Sequence, residues 1–461
     1  MIDVDRHFAE RRERHLAELM DFLRIPSISA LSAHREDVRR AAAWLAERLR
    51  RAGLEHVEVE ETGGHPVVTA DWLHAPGAPT VLIYGHYDVQ PVDPESLWTT
   101  PPFEPQIRDG RLYARGASDD KGQTFMHVLA VEAWLQETGR LPVNVKFLVE
   151  GEEEVGSRNL DAFVARHRER LAADVVVVSD TPMLAPGRPA VCYGLRGIAS
   201  MEVRVQGPAS DLHSGLFGGS VLNPIQALVG LLASLHAPDG RVAVPGFYDD
   251  VRPLTPEERE AFARLPFDEE EYRRRLGVPE LFGEPGYTTL ERVWARPTLE
   301  FNGISGGFQG EGGKTIVPSW ASAKISCRLV PDQDPQRILD ALERHLRERA
   351  PRAVQFTVER GQGSPASVVP LDHPAVRAAA RVLEETYGRP ADFIRMGGSI
   401  PVVPTFRERL GAPVVLLGFG LPDENFHAPN EFFTLENFDL GVRALARYWA
   451  ALAQSMAGRS D

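Results

Sequence analysis

The stretch Val81–Pro91, VLIYGHYDVQP, constrains the fold more than any other part of the chain. Its first four residues form an unbroken apolar run, which is typical of a strand buried on both faces in a parallel sheet. Polarity then changes abruptly, and alternation along a strand places His86 and Asp88 on one side. The imidazole could bind a metal, and the carboxylate could reach that metal or orient the ring. Taken alone, a histidine near a strand end is more often structural.

Three later apolar runs also lead into potential metal ligands. The runs and the polar residues that follow them are Val143–Val149 with Glu152, Glu153 and Glu154, Asp174–Val178 with Asp180, and Pro413–Gly418 with His427. Asp119 and Asp120 lie in the loop before a helix predicted to begin at Thr124. Strands alternating with helices predict an α/β fold with a mostly parallel sheet. Because function in open α/β sheets lies at the carboxyl ends of the strands, these side chains are expected to converge.

A second domain is predicted inside the first. At 461 residues the chain is too long for one ordinary core. After YGLRG, residues 193–197, the pattern changes to strands that alternate like half-exposed strands, with one helix each, and residues 238–297 read as irregular. This favours a small α+β domain with helices on one face, inserted into the α/β domain. The predicted division is 1–196, 197–362 and 363–461.

Charge and cysteine content indicate which binding partners and which cellular compartment the chain favours. The net charge of −14, with 65 acidic against 51 basic residues, argues against nucleic acid or an anionic membrane as partner. Cys192 and Cys327 are too few and too far apart for a disulfide framework, which fits a reducing compartment. The charged N-terminus and the absence of a run of ~18 apolar residues favour a cytoplasmic location.

Each candidate ligand also has an ordinary structural explanation. Residues 152–154 could form a solvated turn, Asp119 and Asp120 could cap the next helix, Asp180 could form an Asx turn, and His427 could be an exposed loop residue. Together, however, two histidines and at least three carboxylates are what a two-metal centre needs. Histidine with carboxylates suits zinc, manganese or cobalt.

Six spaced motifs resemble those of the M20 metallopeptidases, most closely the branch of cytosolic nonspecific dipeptidases and carnosinases. They are GHYDVQP (85–91), GASDDKG (116–122), EEEVGS (152–157), SDTP (179–182), DLHSGLFGG (211–219) and ENFHAPNE (424–431). The resemblance covers about residues 10–450. It implies two catalytic zinc or manganese ions in a domain interrupted by a ferredoxin-like lid, through which two subunits form a homodimer.

Carried over by position, the resemblance also implies roles for single residues. The implied metal ligands are His86, Asp119, Glu154, Asp180 and His427, with Asp119 bridging the two ions. Asp88 would orient His86, and Glu153 would be the general base. His213 of the lid would stabilise the oxyanion, from the partner subunit. Arg328 would grip the C-terminal carboxylate of the substrate, with Thr315 and Ser399 nearby. From pattern alone, His213 is better explained as a surface residue, and Arg328 equally well as a solvated strand residue.

The predicted function is therefore a dinuclear metal-dependent dipeptidase acting on short peptides with a free C-terminus. A metal-activated water would lose its proton to Glu153, attack the amide carbon, and release an amine protonated by the same carboxyl. One alternative keeps the metals but cleaves N-acyl or N-succinyl amino acids. Another is a non-catalytic relative that only binds peptide, against which the presence of Glu153 argues.

Overall fold

The computed structural model describes residues 2–398, 400 and 402–457, and it divides into two compact units. Unit 1 is drawn from Met1–Tyr193, Val369–Ile394 and Pro401–Asp461, and unit 2 from Gly194–Val368 and Arg395–Ile400. In chain order, the elements up to residue 195 are α1 (Val4–Leu23), α2 (Arg35–Arg51), β1 (Glu55–Glu60), β2 (Val67–Trp72), β3 (Thr80–His86), β4 (Gln106–Arg108), β5 (Arg111–Tyr113), α3 (Lys121–Thr138), β6 (Asn144–Glu150), α4 (Leu160–Arg166), α5 (Arg168–Leu171), β7 (Val175–Val178) and β8 (Ala190–Leu195).

The remaining elements continue to the C-terminus. They are β9 (Gly197–Gln206), β10 (Leu212–His213), α6 (Ser214–Phe217), α7 (Pro224–Ala233), α8 (Pro256–Ala263), α9 (Glu269–Leu276), α10 (Thr289–Ala295), β11 (Thr298–Gly306), β12 (Ile316–Val317), β13 (Trp320–Leu329), α11 (Pro335–Arg349), β14 (Gln355–Ser364), β15 (Ser367–Val368), α12 (Pro374–Tyr387), β16 (Asp392–Met396), α13 (Val402–Leu410), β17 (Val414–Leu416), β18 (Phe432–Thr434) and α14 (Leu435–Met456).

The main sheet of unit 1 is mixed, so the prediction of a mostly parallel sheet was wrong. Its order is β1-β2-β6-β3-β7-β17-β8. The four central strands β6, β3, β7 and β17 are parallel, whereas β1, β2 and β8 each run antiparallel to their neighbours. The error has a physical reason: an apolar run reports burial on both faces, and it carries no information about strand direction.

The central strand β3 is buried in the core of unit 1, and its register with β7 sets the position of the residues that follow. Residues 81–84 of β3 are each at most 1% exposed. Helix α3 packs against β3, α14 packs against α3, and the shared core includes Ile83, Val177, Phe125 and Trp449. The register pairs Tyr84 with Val178 across β3 and β7, so that residues following each strand emerge side by side at one edge of the sheet.

Unit 2 is built on a four-stranded antiparallel sheet of order β11-β13-β9-β14. Burial alternates along β9 and β13, and their buried side chains pack with α7 and α11 in one core. The succession β9-α7-β11-β13-α11-β14 is that of ferredoxin-like folds.

Residues 238–297 are not irregular throughout, which corrects the prediction for this segment. They contain α8, α9 and α10. Two of these helices begin with a capping box, Thr255 with Glu258 and Thr288 with Glu291. This signal is readable in the sequence, although the surrounding prolines and charges obscure it. Within the part of the chain that the structure describes, no helix has the length and apolar character needed to cross a bilayer.

Candidate metal centre

His86 ends β3 and is fully buried. A Cβ on the preceding Gly85 would lie 2.0 Å from Oγ1 of Thr124, so only glycine lets the strand end pass the first turn of α3. The His86 backbone N–H donates to Asp120 Oδ2 (3.2 Å), and ring Nδ1–H donates to the carbonyl oxygen of Asp88 (3.1 Å). The ring bond leaves Nε2 as the lone-pair nitrogen. This nitrogen makes no hydrogen bond of suitable geometry among the described residues, although Oδ1 of Asp119 lies 3.2 Å away. A buried imidazole with one nitrogen hydrogen-bonded and the lone pair on the other is well suited to bind a metal ion.

The Asp119 carboxylate lies between two imidazoles. Its Oδ1 is 3.2 Å from Nε2 of His86, and its Oδ2 is 3.0 Å from Nε2 of His427. The peptide bond between Asp119 and Asp120 is cis. Because each oxygen faces a different ring, the Asp119 carboxylate would be shared by two ions if each ring bound one.

Two sets of potential ligands share this carboxylate. The first ligand group is His86, Asp119 and Asp180, and the second ligand group is Asp119, Glu154 and His427. Within each group, one ligand atom per residue lies within 4.8 Å of the others. Nitrogen and carboxylate oxygen ligands in two adjoining groups fit a pair of divalent cations, and the unpartnered Nε2 of His86 fits the same interpretation.

The electrostatics of the cluster also favour bound cations. Burial raises the pKa of Asp180 well above its ordinary value, and nearby Asp119 adds to that effect. Burial and the neighbouring Glu154 and Asp119 raise the pKa of Glu153 to about 8. Hydrogen bonds to Asp119 and Glu154 raise the pKa of His427 to about 10. Carboxylates crowded this closely resist ionisation, and cations among them would relieve their repulsion.

Asp88 contacts His86 in a different way from the one expected. Its backbone carbonyl accepts the ring N–H, while the carboxylate Oδ1 lies 3.4 Å from Nδ1. The carboxylate instead accepts the backbone N–H groups of Glu153 (3.3 Å) and Glu154 (3.2 Å). Asp88 therefore contacts both the ring and the turn that carries the candidate base.

The turn after β6 separates its three glutamates. Glu153–Val155 forms a single 3₁₀ turn. Glu154 belongs to the second ligand group, and its Oε2 accepts a hydrogen bond from Gln90 Nε2 (2.8 Å). Glu152 faces elsewhere, since both of its oxygens accept from Asn159 Nδ2 (3.1 and 2.9 Å).

His427 occupies a loop between β17 and β18. Its side chain is 55% exposed, and its backbone lies in the left-handed region at φ 59°, which is uncommon for a residue other than glycine. Its Nε2 lies 3.3 Å from Oε2 of Glu154. Sequence reasoning missed the buried Glu424 and Glu431 at the ends of this loop. The acidic residues flanking histidine in ENFHAPNE were the available signal.

The remaining candidates belong to unit 2. Exposed His213 ends β10, and its Nδ1 accepts from the Gly215 N–H (3.0 Å). The carbonyl oxygen of Thr315 accepts from the Ser214 N–H (3.0 Å), so that His213 and Thr315 are neighbours. Arg328 is half-buried on β13, and burial lowers its pKa. Ser399 lies outside the described residues.

A mixed sheet with parallel central strands, beside two adjoining histidine–carboxylate groups, fits the class of metal-dependent hydrolases. Residues 82–451 match Peptidase family M20/M25/M40. The chain belongs to this family and is a hydrolase of peptide bonds.

Relatives of known name cover nearly the whole chain. A Cys-Gly metallodipeptidase, dug1 of Schizosaccharomyces pombe, is 33% identical over 96% of this chain and 96% of its own. The human Beta-Ala-His dipeptidase is 33% identical over 93% of this chain and 87% of its own. Among solved structures, the metallo-carboxypeptidase Sso-CP2 of Sulfolobus solfataricus superposes with a TM-score of 0.87 at 35% identity, covering 95% of this chain and 99% of that one.

Proposed function

We propose that the protein is a dinuclear metal-dependent dipeptidase that cleaves short peptides with a free C-terminal carboxylate. The observation that carries this proposal is the sharing of Asp119 by two ligand groups, with Glu153 next to the ligand Glu154. The names of two relatives denote dipeptide substrates, Cys-Gly and Beta-Ala-His, and these support a dipeptide over an N-acyl amino acid.

Bound at the two ligand groups, divalent cations, zinc above all, would polarise the substrate carbonyl and lower the pKa of a water molecule. Glu153 would accept the proton from that water and pass it to the leaving amine. The carboxylate of Asp88 accepts a hydrogen bond from the backbone N–H of Glu153. This bond fixes the backbone from which the Glu153 side chain extends. Glu152 is tied to Asn159 and is not available for this step.

Residues of unit 2 would supply the contacts to the substrate. By the family resemblance, His213 would act from the partner subunit of the proposed homodimer and donate to the developing oxyanion. Arg328, with Thr315, would bind the terminal carboxylate, because a guanidinium fork matches a carboxylate in geometry and charge. Unit 2 also exposes large apolar side chains, with Leu216 76% and Ile304 58% exposed. Such exposure supports the proposal of a homodimer, which light scattering on the purified protein tests.

Replacing Glu153 by glutamine tests the mechanism. Glutamine keeps the shape but cannot accept the proton, so turnover should fall by about 10²–10⁴-fold while bound zinc, measured by elemental analysis, is retained. Glu152→Gln is the matched control, because Glu152 lies one residue away and both of its carboxylate oxygens accept from Asn159. It should retain nearly full turnover. Normal turnover in Glu153→Gln would show that Glu153 is not the general base.

A carboxypeptidase is the second candidate, because the metallo-carboxypeptidase Sso-CP2 is 35% identical to this chain. A series of peptides from two to five residues separates the two activities. A dipeptidase should cleave only the shortest member at an appreciable rate, whereas a carboxypeptidase should shorten the longer members from their C-termini. N-acetyl and N-succinyl amino acids in the same panel test the deacylase alternative.

A further inference from the structure

Glu431 lies at the end of the His427 loop and is completely buried. Its carboxylate accepts four N–H groups. Oε2 accepts from Arg115 Nη1 (2.7 Å) and the Gly116 backbone (2.9 Å). Oε1 accepts from the backbones of Ser118 (3.0 Å) and Asp119 (3.1 Å). Every one of these partners is a donor, so only a group with two accepting oxygens satisfies them all.

These bonds join the two chain segments that meet at the centre. Three of the four donors are backbone groups of residues 116–119, the loop that ends in the shared ligand Asp119. Glu431 itself belongs to the loop that supplies His427. One buried carboxylate therefore fixes the backbone of a ligand common to both groups against the loop of a ligand from the second group.

Glu424, at the other end of the loop, is also buried but is bonded differently. Its Oε2 accepts from the Ser118 hydroxyl (2.6 Å), and its Oε1 accepts from the Thr434 backbone N–H (2.8 Å). A hydroxyl can donate or accept. A glutamine at this position could therefore accept from Thr434 with its oxygen and donate to Ser118 with its amide group. At Glu431, the amide of glutamine would face two N–H donors and satisfy neither.

We propose that Glu431 is a positioning residue for the metal centre, which holds Asp119 where both ligand groups share it. The inference depends on the proposed two-metal centre and adds to it a residue that contacts no ion. Charge-assisted hydrogen bonds from the backbone N–H groups of Gly116, Ser118 and Asp119 restrict where the Asp119 carboxylate can lie. Outer contacts of this kind tune metal affinity strongly.

The test compares Glu431→Gln with Glu424→Gln. Zinc affinity is measured by competition with a chromophoric chelator, and the stability of the metal-free protein by thermal unfolding. Glu431→Gln should bind zinc about 10–100-fold more weakly than the wild type, whereas Glu424→Gln should remain within about threefold. A purely structural role would lower the stability of Glu431→Gln but leave the zinc affinities of the two variants alike.

Glu431→Asp keeps the charge and both oxygens on a shorter arm, and its affinity should lie between those of the wild type and the glutamine variant. It decides the question if Glu431→Gln does not fold. Wild-type zinc affinity in a folded Glu431→Gln or Glu431→Asp variant would overturn the positioning role and leave the metal centre intact. A wild-type protein that takes up no zinc would overturn the centre itself, and this role with it.

Discussion

The two ligand groups share Asp119 but differ in how the chain supports their other members. In the first group, His86 ends β3 and Asp180 follows the neighbouring parallel strand β7, and the His86 side chain has no exposed surface. In the second group, Glu154 lies on a short turn and His427 on a loop with its side chain 55% exposed. One group is thus built on packed strand ends, and the other on connecting segments.

The difference teaches how each group acquires its geometry. Strand register and apolar packing bring the first group together, since pairing of Tyr84 with Val178 places His86 beside Asp180. The second group depends on separate polar contacts, such as the bond from Gln90 to Glu154. We therefore expect the first group to hold its ion more tightly than the second.

The largest effect is expected from Asp119→Asn, because this residue alone belongs to both groups. Losing a charged oxygen from each should remove bound zinc from both groups and lower turnover by at least about a thousandfold, since metal polarisation contributes several kcal/mol to catalysis. Asp180→Asn is the control that affects only the first group, and it should retain about one zinc per chain. Two zinc ions per chain in Asp119→Asn, by elemental analysis, would contradict the shared-ligand interpretation.

A smaller and more selective effect should separate His86→Ala from His427→Ala. The exposed His427 supports only the second group, so its loss should leave one tightly bound zinc and weaken the other roughly 10–100-fold. Loss of His86 should instead remove the tighter ion. Zinc titration monitored by calorimetry resolves the two classes of site. If His427→Ala lost the tighter ion, the proposed order of affinities would be reversed.

The same contrast explains how much of the molecule the sequence could predict. An unbroken apolar run that ends in a polar residue identifies β3 and the position of His86 without any knowledge of the rest of the fold. Strand direction has no such signature, which is why a mostly parallel sheet was predicted although β1, β2 and β8 run antiparallel to their neighbours. Three helices were missed between residues 238 and 297 because charged, proline-containing segments hide their caps.

Polar supports were the least predictable part of the site. Glu431 bonds to backbone groups more than three hundred residues earlier in the chain, and such contacts have no period or spacing to detect. The same holds for Asp88, whose carboxylate accepts backbone N–H groups of the glutamate turn. Motif resemblance could indicate which residues are candidate metal ligands, but it could not show which neighbours hold them in place.

The smallest expected effect is a pH-dependent change in stability at His127, which contacts Ser179, the residue before Asp180 of the first ligand group. His127 is fully buried in α3, its Nε2 lies 2.7 Å from the Ser179 hydroxyl, and that hydroxyl donates to the Leu417 carbonyl (2.7 Å). The ring must therefore donate from Nε2, and its Nδ1 has no partner among the described residues. Burial lowers the pKa of His127 to about 3, so the ring is neutral in the folded protein.

The sign of the pH dependence follows from this lowered pKa. Below the unfolded-state pKa of about 6.5, the unfolded chain binds a proton that the folded chain refuses, so stability is complete above this value and falls as the pH drops towards 3. Between pH 7 and pH 5, this single group should lower the free energy of unfolding by about 2 kcal/mol. His127→Gln keeps an N–H donor for Ser179 without a titrating ring. Urea unfolding of both metal-free proteins at the two pH values isolates the difference, and an equal loss of stability in both would show that His127 does not contribute to it.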